Sequence, residues 1–148
     1  MKKVGGRANI LKASEKLQTS LEAAGSSQHY PAAHVLFHED GNSVGVYLVR
    51  KGKVRMSVRG LPNLDRDFAA NSLLGLPATF TGHRYSLTAV TLANSEVVHV
   101  PREEFLELMR ERPDLCREAT DMLGREVTFI QSALAERRRQ LATVAAMV

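Results

Sequence analysis

Apolar positions recur with two different periods along the chain, and the changes of period divide it into three stretches. Residues 9–24, NILKASEKLQTSLEAA, carry Leu11, Leu17 and Leu21 among good helix formers, with Gly25 following as a C′ stop. That spacing predicts a short amphipathic helix. From His29 to Pro101 the period falls to two. VRMSVR is the cleanest case, with Val54, Met56 and Val58 alternating with Arg55, Ser57 and Arg59. VGVYLV before it reads as a second strand, and RKGK, with Gly52, as the turn closing the pair into a hairpin. SLTAVT and EVVHV read as a later pair joined through Ala93-Asn94. Further turn signals fall at Pro31-Ala32, Asp40-Gly41-Asn42 and Pro62-Asn63. Many short strands at regular spacing imply a sandwich or a barrel-like roll.

After Pro101 the helical period returns. REEFLELMRER sets Phe105, Leu106, Leu108 and Met109 on a short helix, and Pro113 is suited to open the next one at its first turn. That second helix can run from Pro113 past residue 140. Its apolar positions step by four and three through Leu123, Val127, Ile130 and Leu134, then Arg137, Leu141, Val144 and Val148. This is an a/d seam with one basic interruption. A stripe of that length exceeds what one small β domain can cover, which points to a homodimer; packing on its own domain is the alternative.

Bulk composition narrows the field. The chain has 148 residues, 44% hydrophobic and 24% charged, the make-up of one globular domain. No apolar run approaches the ~20 residues of a membrane span. MKKVGGRANILK has no apolar segment behind its lysines, so it does not read as a secretory signal. A single cysteine, Cys116, excludes an internal disulfide and suits a cytoplasmic setting, where it reads as a small buried hydrophobe. The net charge of +4 permits an anionic partner without requiring one.

Catalytic signatures are missing from the pattern: no Ser-His-Asp spacing, paired carboxylates, Walker loop or CxxC. His34 and His38 would lie ~13 Å apart along a strand, too far to share one metal ion. ERRRQ, residues 136–140, points its arginines in different directions on a helix and reads as a solvated face. The one stretch suggesting a binding site is LLGLPATFTGHRYSLTAV, residues 73–90. It offers a glycine turn, a second glycine, a basic residue and two hydroxyls entering a strand.

In this order the elements resemble the cyclic nucleotide-binding domain, and more narrowly the effector half of catabolite-activator-type bacterial regulators of the Crp/Fnr superfamily. LFHEDGNSVGVYLVRKGKVRMSV matches the family's opening strands, with Gly41 and Gly52 at its characteristic glycines. LLGLPATFTGHRYSLTA falls on the phosphate-binding cassette, and VPREEFLELMRERPDL on the strand-to-helix exit. The resemblance covers roughly residues 28–145. It implies a mainly β fold: a double-stranded β-helix (jelly-roll-like β-roll) of about eight strands, a short N-terminal helix and a long C-terminal dimerisation helix. The divisions are 1–27, an N-terminal helical segment; 28–112, the β-roll with its exit helix; and 113–148, the dimer helix, with seam residues Leu123, Val127, Ile130, Leu134 and Leu141.

The family cassette reads Gly-Glu and, further on, Arg-Ser/Thr-Ala. There the Arg forks onto the cyclic phosphate and the Glu accepts from the ribose 2′-hydroxyl. Here Gly75 and Ser86 match, whereas Leu76 replaces the Glu, Tyr85 the Arg and Leu87 the Ala. Leu76 accepts no hydrogen bond and Tyr85 offers one neutral donor. Each lost charge-assisted bond costs about 1.5–3 kcal/mol, so cAMP is disfavoured. Arg84 sits one residue early and, on an extended chain, faces away from Tyr85. Pro77 rigidifies the loop and Gly82 permits a left-handed turn.

The expected ligand-binding set is therefore Gly75, Leu76, Pro77, Ala78, Arg84, Tyr85 and Ser86, with Thr128, Ile130 and Gln131 from the long helix. No catalytic residue and no metal site are expected. The expected function is non-enzymatic ligand sensing, with a divergent cassette retuned to a nucleotide-like or other anionic ligand. Two alternatives stand beside it: a structural dimerisation module with an empty pocket, and a sensor of a different ligand such as another anion or haem, for which His83 is the candidate. The family's helix-turn-helix would follow the long helix, so this chain alone is expected to bind no DNA specifically.

Overall fold

The computed structural model of the chain describes residues 10–61 and 65–147. The Pro62-Asn63 turn, the start of the expected first helix at residue 9, the expected lack of a signal and the last seam position, Val148, lie outside the described residues. Helix α1 runs Glu15–Ala24, later than its apolar pattern suggests. Leu11 is buried not on that helix but on an extended segment: Lys12 bridges to Ser72, Leu73 donates to the Leu11 carbonyl and Ala13 to that of Asn71. Ser14 then caps the helix, its hydroxyl accepting from the Leu17 amide at 3.2 Å. Gly25 ends α1 in extended backbone, φ −123°, and not as a left-handed stop.

Eight strands follow: β1 Ser26–Tyr30, β2 Val35–Phe37, β3 Gly45–Lys51, β4 Val54–Ser57, β5 Arg66–Phe68, β6 Leu73–Leu74, β7 Thr88–Thr91 and β8 Ser95–Pro101. They form two antiparallel four-stranded sheets, β1-β8-β3-β6 and β2-β7-β4-β5. Neither expected hairpin exists. β3 pairs with β8 and β6, while β4 pairs with β5 and β7, so RKGK turns the corner between sheets. The same is true of β7 and β8 across Ala93-Asn94. Period two identifies strands with one buried face but says nothing about which strand lies alongside. In a roll, successive strands cross from sheet to sheet so that the inner faces close one core.

Alternation holds in β4, where Val54 and Met56 are fully buried and Arg55 is exposed and ion-paired with Asp67 across the strand pair at 2.7 Å. It fails in β3, whose Val46, Tyr47, Leu48 and Val49 are all buried. β3 is a central strand, and helices pack on its sheet's outer side, so both its faces are covered. These are α2, Leu76–Thr81, and α3, Arg102–Glu111. Phe105 of α3 is fully buried and meets Phe80 of α2 edge to face, centroids 5.4 Å apart.

Helix α4 spans Pro113–Met147, 35 residues or about 52 Å. Its inward stripe is Leu115, Ala119, Met122, Glu126 and Ala133, all buried against the rest of the chain. Ser14 clamps its near end through two hydrogen bonds from backbone and hydroxyl to the Glu118 carboxylate, each 2.7 Å. The expected seam lies one position away. Leu123, Val127 and Ile130 are half-buried, but Leu134, Leu141 and Val144 are 41, 62 and 59% exposed. Among the described residues no helix is long and apolar enough to cross a membrane.

Phe105→Ala removes the ring that joins α3 to α2. It should lower the urea unfolding free energy by about 3–5 kcal/mol while leaving the far-ultraviolet circular dichroism unchanged under native conditions.

Candidate functional site

Residues 73–90 fold as a strand, a one-and-a-half-turn helix and a return strand. Gly75 caps α2 at φ 92°, a left-handed conformation, and a Cβ there would press on the Gly45 carbonyl and the Tyr85 ring, each 3.3 Å away. Pro77 occupies the first turn, and the Thr79 hydroxyl donates to the Gly75 carbonyl at 2.8 Å. Gly82 ends the helix at φ 78°, the left-handed turn its position suggests. Arg102 locks the end of α2 by donating to the Thr79 carbonyl at 2.8 Å.

Tyr85 is the keystone of the loop. It is 3% exposed and stacks on Phe37, centroids 4.1 Å apart. Its hydroxyl donates to the Gly45 carbonyl at 2.8 Å and accepts from the Val44 amide at 3.1 Å. Its backbone is held too, the amide donating to the Gly41 carbonyl and the carbonyl accepting from the Asp40 amide. Burial pushes the phenol above its ordinary range. The hydroxyl is thus spent on the β2–β3 loop and does not stand free to meet a ligand. Leu76 is likewise fully buried.

An open cleft of about 780 Å³ lies beside this loop. One wall is the 39–43 loop, another Gly82–Ser86, and the third Ile130 and Leu134 of α4. Arg84, Tyr85, Ser86 and Ile130, all singled out from the sequence, meet there. Arg84 is exposed and donates to the Asp40 carbonyl at 2.8 Å, so it sits at the mouth of the cleft despite its register. Glu39 and Asp40 also line the cleft, which leaves it with mixed charge instead of a phosphate-binding concentration of cations. These two acids, Asn42 and Ser43 escape sequence reading because DGN registers only as a turn.

Gly75, Pro77, Ala78, Tyr85 and Ser86 line a second, much smaller cavity of about 10 Å³, where Glu126 and Ile130 reach in from α4. Thr128 is elsewhere. It donates to the Gly124 carbonyl and lines a separate 450 Å³ groove on the other side of α4, with Ile10, Arg66 and Phe129. Gln131 is exposed and lines none of these spaces. A helix turns 100° per residue, so Thr128 and Gln131 cannot share the face of Ile130. His83 stands exposed at the cleft rim. Among the described residues no three His, Cys, Asp or Glu side chains are grouped to hold a metal ion.

Residues 27–112 match the family model described as the cyclic nucleotide-binding domain. The catabolite activator protein of Thermus thermophilus is similar at 21% identity and TM-score 0.59, over 94% of this chain and 63% of that one. A structure reported under "A cyclic-GMP-dependent signalling pathway regulates bacterial phytopathogenesis" aligns at 15% identity and TM-score 0.69, over 82% and 96%. Oxidised CprK in complex with o-chlorophenolacetic acid aligns at 13% identity and TM-score 0.64, over 87% and 55%. At such identities the likeness is one of fold. The chain spans 63% of the Thermus protein's length. Among curated proteins, none matches the sequence.

Tyr85→Phe keeps the stacked ring but orphans the Gly45 carbonyl and the Val44 amide. It should destabilise the fold by about 1–3 kcal/mol in chemical denaturation.

Proposed function

The chain belongs to the cyclic nucleotide-binding domain family, and from that membership we propose that it is a non-enzymatic ligand-sensing regulatory domain whose cassette is retuned away from cAMP. The observation that carries this reading is the cleft itself. It joins the cassette to Ile130 and Leu134 of the long helix, so a molecule lodged in it touches both the sensing loop and the helix. A ligand that binds one arrangement of loop and helix more tightly shifts the population toward it. The positions that carry charge in the family hold Leu76 and Tyr85 here, both in the core, so no fixed cation faces the inner pocket. Arg84 is the available guanidinium, at the rim, with Ser86 exposed beside it. CprK bound to o-chlorophenolacetic acid is a fold relative whose ligand is not a nucleotide.

The chain is read as three parts, 1–27, 28–112 and 113–148, and as a cytoplasmic homodimer through α4. What supports the dimer is the exposed apolar row Leu134, Leu141 and Val144, which extends the half-buried Leu123, Val127 and Ile130 beyond the roll.

Calorimetric titration with cAMP, cGMP and c-di-GMP, together with a visible absorption spectrum, tests the ligand reading. cAMP should give no sub-micromolar dissociation constant; one that tight would overturn the retuned pocket. A ligand that does bind should weaken at least about tenfold, or 1.4 kcal/mol, on Ser86→Trp, which fills the cleft from an exposed position. Light scattering tests the assembly: the wild type should have twice the chain mass. Leu141→Glu with Val144→Glu, which sets like charges across the axis away from the cleft, should give monomers.

A further inference from the structure

The inward stripe of α4 includes one residue that an apolar contact does not need. Glu126 is 2% exposed, four residues beyond Met122 and seven before Ala133, both buried. Its Oε1 has no hydrogen-bond partner among the described residues. The backbone amides of Gly75 and Leu76, at the start of α2, face the same carboxyl. The small cavity it lines with Phe37, Gly75 and Tyr85 has room for about one water. A leucine or methionine of similar volume would fill this place without a polar atom. Burying a carboxylate here with no cation against it is strongly unfavourable, and burial accordingly pushes the Glu126 carboxyl up to about 8, the two amides opposing. Tyr85 is the only other titratable group lining the cavity, and it stays neutral throughout that range because burial raises it too.

We propose that Glu126 is a proton-dependent latch between the cassette and the long helix: as a neutral acid it docks α4 against Gly75 and Leu76, and once ionised it loosens that contact. The latch places a second input, proton concentration, on the helix that carries the expected dimer seam. As regulation of the cassette it rests on the ligand-sensing reading above, but its titration does not depend on any ligand.

The docked state holds a proton that an exposed glutamate, with its ordinary value of 4.5, gives up. Stability from docking is therefore complete below about pH 4.5 and declines as pH rises toward 8. The folding constant should fall by up to about a thousandfold across that window. Glu126→Gln keeps the volume and removes the titrating proton. Urea unfolding of wild type and variant between pH 5 and 8.5 should show the loss in the wild type and its absence in the variant. Carbon-13 NMR of the Glu126 carboxyl in the wild-type chain gives the titration directly, whether or not the variant folds, and should find its midpoint far above 4.5, near 8. Parallel pH profiles, or a midpoint near 4.5, would overturn the latch even if a ligand binds the cleft. Failure of every nucleotide to bind would count against the sensing reading and leave both of these measurements decisive.

Discussion

Everything in this molecule that could carry a signal depends on how α4 lies against the roll. The contact is close because the inward stripe alternates bulk with alanine: Leu115 and Met122 fill, Ala119 and Ala133 let the helix approach. Ser14 fixes one end through the Glu118 carboxylate, and α2 meets the middle. Beyond Ala133 the roll falls away and the helix projects with its apolar row uncovered. The same rigid rod is thus anchored at the cassette and open where a second chain would add apolar burial. A rod with those two attachments converts a small displacement at one end into a larger one at the other.

Tyr85 shows what the proposed departure from the family cassette would mean in physical terms. An arginine at this position would keep a charged head at the pocket and need a counter-anion. A tyrosine inverts the arrangement: ring on Phe37, hydroxyl on Gly45 and Val44, nothing left over for an anion. The loop gains a rigid anchor and gives up a ligand contact. Leu76 likewise belongs to the core, fully buried. The loop that holds Leu76 and Tyr85 is fixed by packing, with its polarity at the rim in Arg84 and Ser86.

The fold was legible in outline because each element has a one-sided apolar pattern, and the two changes of period mark the roll's limits well. Strand partners were not legible, since period two reports a buried face and not a neighbour; both expected hairpins proved to be corners between sheets. The first helix was over-extended because Leu11 fits a helical stripe, although its carbonyl is claimed by Leu73 and the Ala13 amide by Asn71. At the site, Arg84, Tyr85, Ser86 and Ile130 were readable from motif spacing. Glu126 was not, because a glutamate in a charged helix looks like surface until the neighbouring residues are known to be buried. Thr128 and Gln131 failed for the opposite reason, being near Ile130 in sequence and on other faces of the helix.

The inner and outer stripes of α4 are offset by a single residue: Met122 beside Leu123, Glu126 beside Val127, Ala133 beside Leu134. A helix cannot turn its seam toward a partner without turning its inner stripe on the cassette by the same angle. Ile130 sits at the boundary, lining both the small cavity and the open cleft while belonging to the expected seam pattern. One residue that is at once wall and seam cannot satisfy two arrangements equally. In the proposed dimer, occupancy of the cleft and the geometry of the seam would be coupled through side-chain volume at Ile130, with no need for a contiguous path of charges between them.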